Sequence, residues 1–170
     1  MKKLNIALVA HDARKQELIE WCKYNMEWLS NHKLYATGTT GKLIEDIDAV
    51  WKPVPDELYA EKKGPMIGKI TCLLSGPLGG DQQIGAMIAE GKIDVLIFFC
   101  DNLITQGHQQ DVSALSRLAS LYNIAFATNR TTADLIVTSP LTTDEDYVGI
   151  VPPVIDRYKN RLNNSNQIVS

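Results

Sequence analysis

The sequence predicts an α/β fold, a three-layer αβα sandwich around a five-stranded, mainly parallel sheet. Two observations carry that prediction. Apolar, β-prone runs alternate with helix-period runs along almost the whole chain. One of them, Asp94–Cys100, is so continuously apolar that it reads as a central strand covered on both faces. The chain has 170 residues, 45% of them apolar, which suits one domain with a core that needs no metal or disulfide staple.

Taken in order, Leu4–Ala10 is a buried strand. The next stretch places Ile19, Cys22, Met26 and Leu29 on one helix face. A short strand, Lys33–Ala36, meets the turn Thr37-Gly38-Thr39-Thr40-Gly41 and a helix over Lys42–Ile47. Ile70–Leu74 is the third strand, followed by the Gly/Pro loop Ser75–Gly80. Asp81 stands where an N-cap belongs, ahead of a helix carrying Ile84, Met87 and Ile88 on one face and closed by Gly91. After the central strand, the polar loop Asp101–Gln110 leads to a helix with Val112, Leu115, Ala119 and Tyr122 in register. Ile124–Thr128 is the fifth strand, and Thr131–Ser139 another short helix. Pro152-Pro153 then precedes a polar helix, Ile155–Leu162, within a C-terminal helix and loose tail spanning about 155–170. Residues 45–69 break the rhythm with three prolines, six acids and four lysines, and read as a surface insertion in a single 1–170 domain. Right-handed crossovers make the topology Rossmann-like and bring every strand's C-terminal end to one edge of the sheet.

Composition excludes several function classes. With 17 Lys+Arg against 20 Asp+Glu the formal charge is −3, and no basic cluster exceeds a pair, which argues against nucleic acid as a partner. The longest purely apolar run, Val95–Cys100, is far too short to span a bilayer. The opening Met1-Lys2-Lys3 is basic, but its apolar stretch stops at His11-Asp12, too early for a secretory core. These features predict a soluble, cytoplasmic protein. Cys22, Cys72 and Cys100 form no CxxC pair, and His11, His32 and His108 show no metal-ligand spacing, so no metal is expected.

The residues that follow the strands are the informative ones. His11, Asp12 and Lys15 follow the first, and Thr37-Gly38-Thr39-Thr40 the second. Ser75-Gly76-Pro77-Leu78-Gly79-Gly80-Asp81-Gln82-Gln83 follows the third, and Asp101, His108 and Asp111 the fourth. With Gly41 counted to the second, five of the eleven glycines lie in the second and third of these loops, where backbone must curl closely. Thr37–Gly41 has the make-up of an anion cradle at a helix start, although the same run is also a good turn with an N-cap. Lys15 is the natural cation for a phosphate there. Asp81 is a good cap, but Ser, Thr or Asn would cap as well, so a carboxylate flanked by Gly79-Gly80 suits a base open to substrate. His108, in its polar loop, reads on local grounds equally as a surface residue.

These motifs together resemble methylglyoxal synthase. The similarity is carried by Ile6–Asp12 with Lys15, by Tyr35–Gly41, by Leu74–Gln83, by Glu90–Phe99, and by Ala127-Thr128-Asn129 with Thr132-Ala133-Asp134. It runs from about residue 4 to 140, interrupted at 45–69. It implies a cofactor-free, homo-oligomeric (hexameric) lyase that turns dihydroxyacetone phosphate into methylglyoxal and inorganic phosphate, with phosphate as product and inhibitor. By the same match Asp81 takes the catalytic base's position and His108 that of the histidine at the substrate's oxygens. His11, Lys15, Thr37, Gly38, Thr39, Thr40, Ser75 and Gly76 take substrate-binding positions, and Asp12, Asp101 and Asp111 family carboxylate positions. The loop Asn102–Asp111 keeps the histidine and the later aspartate but lacks the family's prolines, and the 45–69 stretch exceeds its pattern. Backbone N–H groups near Gly76–Gly80 are expected to help hold the developing oxyanion. Two other readings stand beside the lyase: a non-catalytic module of the same family that binds an anionic effector, and a sugar-phosphate isomerase.

Overall fold

A computed structural model describes residues 2–50, 70–103, 107 and 109–165 of the chain. The stretch 51–69, most of the expected insertion, lies outside the described residues, as does His108.

Five strands form one sheet: β1 (Asn5–Ala10), β2 (Lys33–Thr37), β3 (Ile70–Leu73), β4 (Val95–Phe99) and β5 (Ala125–Ala127). Their order is β3-β2-β1-β4-β5 and every pairing is parallel. Parallel neighbours require crossovers, and helices supply them. α1 (Lys15–Tyr24) and α2 (Met26–Leu29) lead from β1 to β2, and α3 (Gly38–Val50) leaves β2. α4 (Gly80–Ala89) joins β3 to β4, α5 (Gln109–Leu121) joins β4 to β5, and α6 (Arg130–Thr138) and α7 (Pro153–Ser165) follow.

Strand alternation divides the core into two faces. Ile6, Leu8, Val95, Ile97 and Phe99 pack with Leu18, Trp21, Leu29 and Ile44 under α1, α2 and α3. Ala7, Val9, Leu96 and Phe98 pack with Ile84, Ile88, Val112 and Leu115 under α4 and α5. All five residues of β4 are buried, as expected for a strand covered on both sides. The Trp21 indole N–H donates to Asp134 Oδ1 (2.7 Å), tying α1 to α6 with a buried polar group satisfied.

The far end of β1 is held from both neighbours. Leu4 N–H donates to His32 Nδ1 (3.3 Å) and Asn5 N–H to Asp94 Oδ2 (2.8 Å). With one end fixed, the other end of β1 delivers His11 to the opposite edge in a defined register.

Three details differ from expectation. The helix after β1 breaks at Asn25, giving α1 and α2. The helix after β2 begins at Gly38, not Lys42, and continues to Val50, so the start of the 45–69 stretch is helical. Asp81 is not the N-cap of α4; Gly79, at φ 109°, holds that place and Asp81 is the second helical residue.

Candidate active site

The strand order reverses between β1 and β4, and open α/β sheets bind ligands at that switch point, beyond the strands' C-terminal ends. A crevice of about 680 Å3 opens there, a size suited to a small metabolite. It is lined by His11, Asp12 and Lys15 after β1, Thr37 at the end of β2 with Thr39 and Thr40 just after it, Ser75, Gly76 and Pro77 after β3, and Asp81, Phe98 and Asp111. Gly107 also lines it. Residues from four sequence regions thus meet in one place.

The loops are set by hydrogen bonds that continue the sheet ladder. His11 N–H donates to the Phe99 carbonyl (3.2 Å), and Gly38 N–H to the Leu74 carbonyl (3.1 Å). The second bond brings the β2 and β3 loops so close that a Cβ on Gly38 would stand 2.8 Å from Ser75 Cα. Gly38 also has φ +35°, a conformation that side chains rarely adopt. On the next turn, a Cβ on Gly80 would meet the Leu74 carbonyl oxygen at 2.1 Å, so only glycine lets α4 start against the end of β3. Gln83 reaches back from α4 and accepts the Leu74 N–H (2.9 Å). That contact gives the second glutamine of Gly-Gly-Asp-Gln-Gln a structural task.

The Ser75 carbonyl accepts N–H groups from both Leu78 and Gly80, and the Gly76 carbonyl accepts the Gly79 N–H. Donors expected from Gly76–Gly80 are therefore largely spent within the loop. Proline has no N–H, which leaves Gly76 as the candidate donor in that run.

The polar side chains sit at the starts of four helices, α1, α3, α4 and α5. Thr37 and Thr40 are buried and Thr39 is exposed at the N-terminal turn of α3, where helix N–H groups and the macrodipole favour an anion. Lys15 Nζ reaches across to Thr39 Oγ1 (2.5 Å) while also pairing with Asp12 Oδ1. Asp81, 3% exposed, lies in the first turn of α4, and Asp111 in the first turn of α5. Both also line a smaller groove between α4 and α5, so two carboxylates border one side of the crevice. His11 is 4% exposed; its Nδ1 accepts the Asp101 N–H (2.9 Å) and its ring stands edge-on to Phe98.

Among the sequence-predicted residues, Asp101 does not line the crevice; its carboxylate accepts the Leu103 N–H (3.1 Å) and its main chain faces His11. Gly38 shapes the crevice from behind its lining. His108 lies outside the described residues, flanked by Gly107 and Gln109. Pro77 lines the crevice with its loop, whereas Phe98 is a lining residue that the sequence reading does not single out. The alternation along β4 could have shown that Phe98 faces the same side as Leu96. Cys100, next to Asp101, has its thiol pushed up to about 11 by burial, with Asp81 adding to the effect and Arg14 opposing it. Among the described residues no three His, Cys, Asp or Glu side chains are grouped to hold a metal ion. No helix among them is long and apolar enough to cross a membrane.

Comparison with known proteins adds four findings. The family model described as the MGS-like domain matches residues 17–128, which include the Thr37–Thr40 turn, Ser75-Gly76, Asp81 and Asp111. Methylglyoxal synthase of Proteus mirabilis (strain HI4320) is 51% identical over 158 residues, covering 93% of this chain and 91% of that protein. Methylglyoxal synthase of Leptospira interrogans serovar copenhageni is 50% identical over 135 residues, 79% of each chain. The crystal structure of methylglyoxal synthase from Elizabethkingia anophelis NUHP1 superposes with a TM-score of 0.69 at 41% identity, covering 83% of this chain and 81% of that one.

Proposed function

The chain belongs to the methylglyoxal synthase family and is a lyase acting on a phosphorylated substrate; on that premise we propose how its crevice eliminates phosphate from dihydroxyacetone phosphate. The observation that carries the proposal is that a lysine and a buried carboxylate line a single crevice from different helices, Lys15 beside the α3 N-terminus and Asp81 in the first turn of α4.

The substrate's phosphate rests on the Thr37–Thr40 turn, held by the helix N-terminus, the threonine hydroxyls and Lys15. The bulk charge of −3 does not oppose this, because the field that matters is local. Asp81 takes the proton from the carbon beside the ketone, and the electron pair moves onto the carbonyl oxygen to form an enediolate. Hydrogen-bond donors placed where that charge develops stabilise it; His11, His108 and the Gly76 N–H fill this role. A proton passes from the terminal hydroxyl to the former carbonyl oxygen, and collapse from the terminal oxygen then expels phosphate, breaking the C–O bond. This leaves the enol of methylglyoxal, which becomes methylglyoxal as its hydroxyl loses a proton and its CH2 carbon gains one. Expulsion needs that C–O bond out of the enediolate plane, so the cradle fixes outcome by geometry as well as by charge. Asp111 and Asp12 act around this core, Asp12 by holding Lys15 and Asp111 by bordering the base; Asp101 acts through its main chain on His11.

The assembly is a homo-oligomer, a hexamer by family pattern. It is supported by apolar residues left exposed near the C-terminus, Val148 (74%), Ile150 (79%) and Tyr158 (63%), which suit burial against another copy. Inorganic phosphate, sharing the substrate's anion, inhibits by occupying the same cradle. The protein works in the cytoplasm, where dihydroxyacetone phosphate occurs.

The test is product analysis. Incubation with dihydroxyacetone phosphate yields methylglyoxal and free phosphate in equal amounts. Isomerisation with phosphate still attached would point to an isomerase, and binding without any turnover to an effector-binding module.

A further inference from the structure

We infer that His11 serves the reaction as a neutral imidazole donating through Nε2, its tautomer set by the main-chain N–H of Asp101. The inference rests on the substrate-binding role proposed above for His11 and adds the chemical form in which it acts.

Contacts on its backbone and on its ring limit the residue's freedom. Its own N–H donates to the Phe99 carbonyl (3.2 Å), and its carbonyl accepts the Arg14 N–H (2.8 Å), so the backbone is held on both sides. The ring lies edge-on to Phe98, with centroids 5.0 Å apart and planes at 78°. Phe98 is itself fully buried, so it gives the imidazole a fixed wall. The Asp101 N–H donates to Nδ1 at 2.9 Å. The donor is main chain, so it cannot change its protonation or turn away as a side chain can. Its position is also secured, because the preceding N–H, that of Cys100, bonds to the Thr128 carbonyl and the Asp101 carboxylate accepts from Leu103.

An imidazole nitrogen that accepts a hydrogen bond carries no proton, and the neutral ring then carries its proton on the other nitrogen. A doubly protonated His11 would set N–H against N–H at Nδ1. The geometry therefore selects the neutral Nε2–H form. Such a group stabilises a developing enediolate by hydrogen bonding without adding a positive charge to the crevice. The cationic work falls to Lys15, and His11 is a donor to the substrate's oxygens, not a partner of the phosphate charge.

The direct test is two-bond 1H–15N NMR of the full-length, 15N-histidine-labelled protein at neutral pH, with the His11 signals identified by their loss in His11→Gln. The expected pattern is an unprotonated Nδ1 and a protonated Nε2, unchanged when inorganic phosphate is added. Protonation at Nδ1, alone or with Nε2, would overturn the inference. A kinetic arm separates role from fold. His11→Phe keeps ring volume against Phe98 but loses the donor, and kcat falls roughly 10²–10³-fold, the usual cost of one oxyanion donor. Phosphate inhibition stays unchanged, and His11→Gln, with an amide N–H near the Nε2 position, recovers part of kcat. Weakened phosphate inhibition in His11→Phe, with kcat little altered, would make His11 a phosphate ligand and contradict the inference. Absence of any methylglyoxal from the native protein would instead sink the proposed function, while the NMR result would still decide the tautomer.

Discussion

Lys15 Nζ lies 2.5 Å from Thr39 Oγ1, a hydroxyl 24 residues further along the chain on a different helix. The same ammonium pairs with Asp12 Oδ1 at 2.5 Å, although the Asp12 side chain is 94% exposed. So exposed a pair adds little to stability. Its consequence is positional, because it holds the one lysine or arginine that lines the crevice among the described residues at the start of α3. Lys15→Met should raise both KM and the phosphate inhibition constant by about 10- to 100-fold, matching the ~1.5–3 kcal/mol of a charge-assisted hydrogen bond. Thr39→Val should produce the same pattern more weakly. Initial rates against substrate, with and without phosphate, check both, and unchanged phosphate inhibition in Lys15→Met would remove Lys15 from the cradle.

Gly80→Ala should unfold the junction between β3 and α4. Its Cβ would meet the Leu74 carbonyl oxygen at 2.1 Å, a backbone atom that cannot swing aside. A loss of about 1–3 kcal/mol or more is expected from overpacking of this kind, read as a lower urea midpoint, together with loss of turnover. Gly149→Ala is the control, since its Cβ would make only an ordinary 3.6 Å contact with the Asn123 carbonyl oxygen. Equal midpoints for the two variants would show that the junction tolerates a side chain.

Acid should weaken the fold through His32. Burial, with Lys3 adding to it and Asp94 opposing, holds this imidazole below its ordinary value of 6.5. The unfolded chain therefore takes up a proton before the folded one. The contribution is complete above about pH 6.5 and is lost as pH falls from there through the lowered folded value. Protonation would also cost the Leu4 N–H its acceptor at Nδ1. Urea midpoints of the native protein and of His32→Asn, compared between pH 7.5 and pH 5.5, isolate this residue. The native protein should lose more stability on acidification, and parallel losses would exclude His32 as the cause.

Thiol labelling should sort the three cysteines. Cys72 is exposed on β3, whereas Cys22 is fully buried and its thiol is pushed well up by that burial. Cys100, at about 11, holds little thiolate at neutral pH. A maleimide reagent should modify Cys72 first, and Cys22 only after unfolding. Rapid labelling of Cys22 in the native protein would contradict the packing of α1 on the sheet.

Much of this architecture was legible in the chain because strand alternation and helix period are local signals. β1 and β4 were visible as apolar runs, and a parallel sheet by itself sends Lys15, the threonine turn and Asp81 to one edge. What escaped was set by contacts between distant residues. Thr39 and Thr40 favour turns and caps by propensity, yet the Gly38–Leu74 bond places them inside a helix. Asp81 had the chemistry of a cap, but a left-handed Gly79 took that position, and the carboxylate lines the crevice instead. The bond from Asp101 to His11 spans 90 residues and has no local signature.

Asp81→Asn tests the central claim most directly. The substitution keeps the side chain's shape in the first turn of α4 and removes only its ability to take a proton. With dihydroxyacetone phosphate as substrate, methylglyoxal release should fall by roughly 10²–10⁴-fold, the usual contribution of a positioned general base. Circular dichroism and phosphate binding should match the native protein. A variant that folds, binds phosphate and still forms methylglyoxal at close to the native rate would show that Asp81 is not the base.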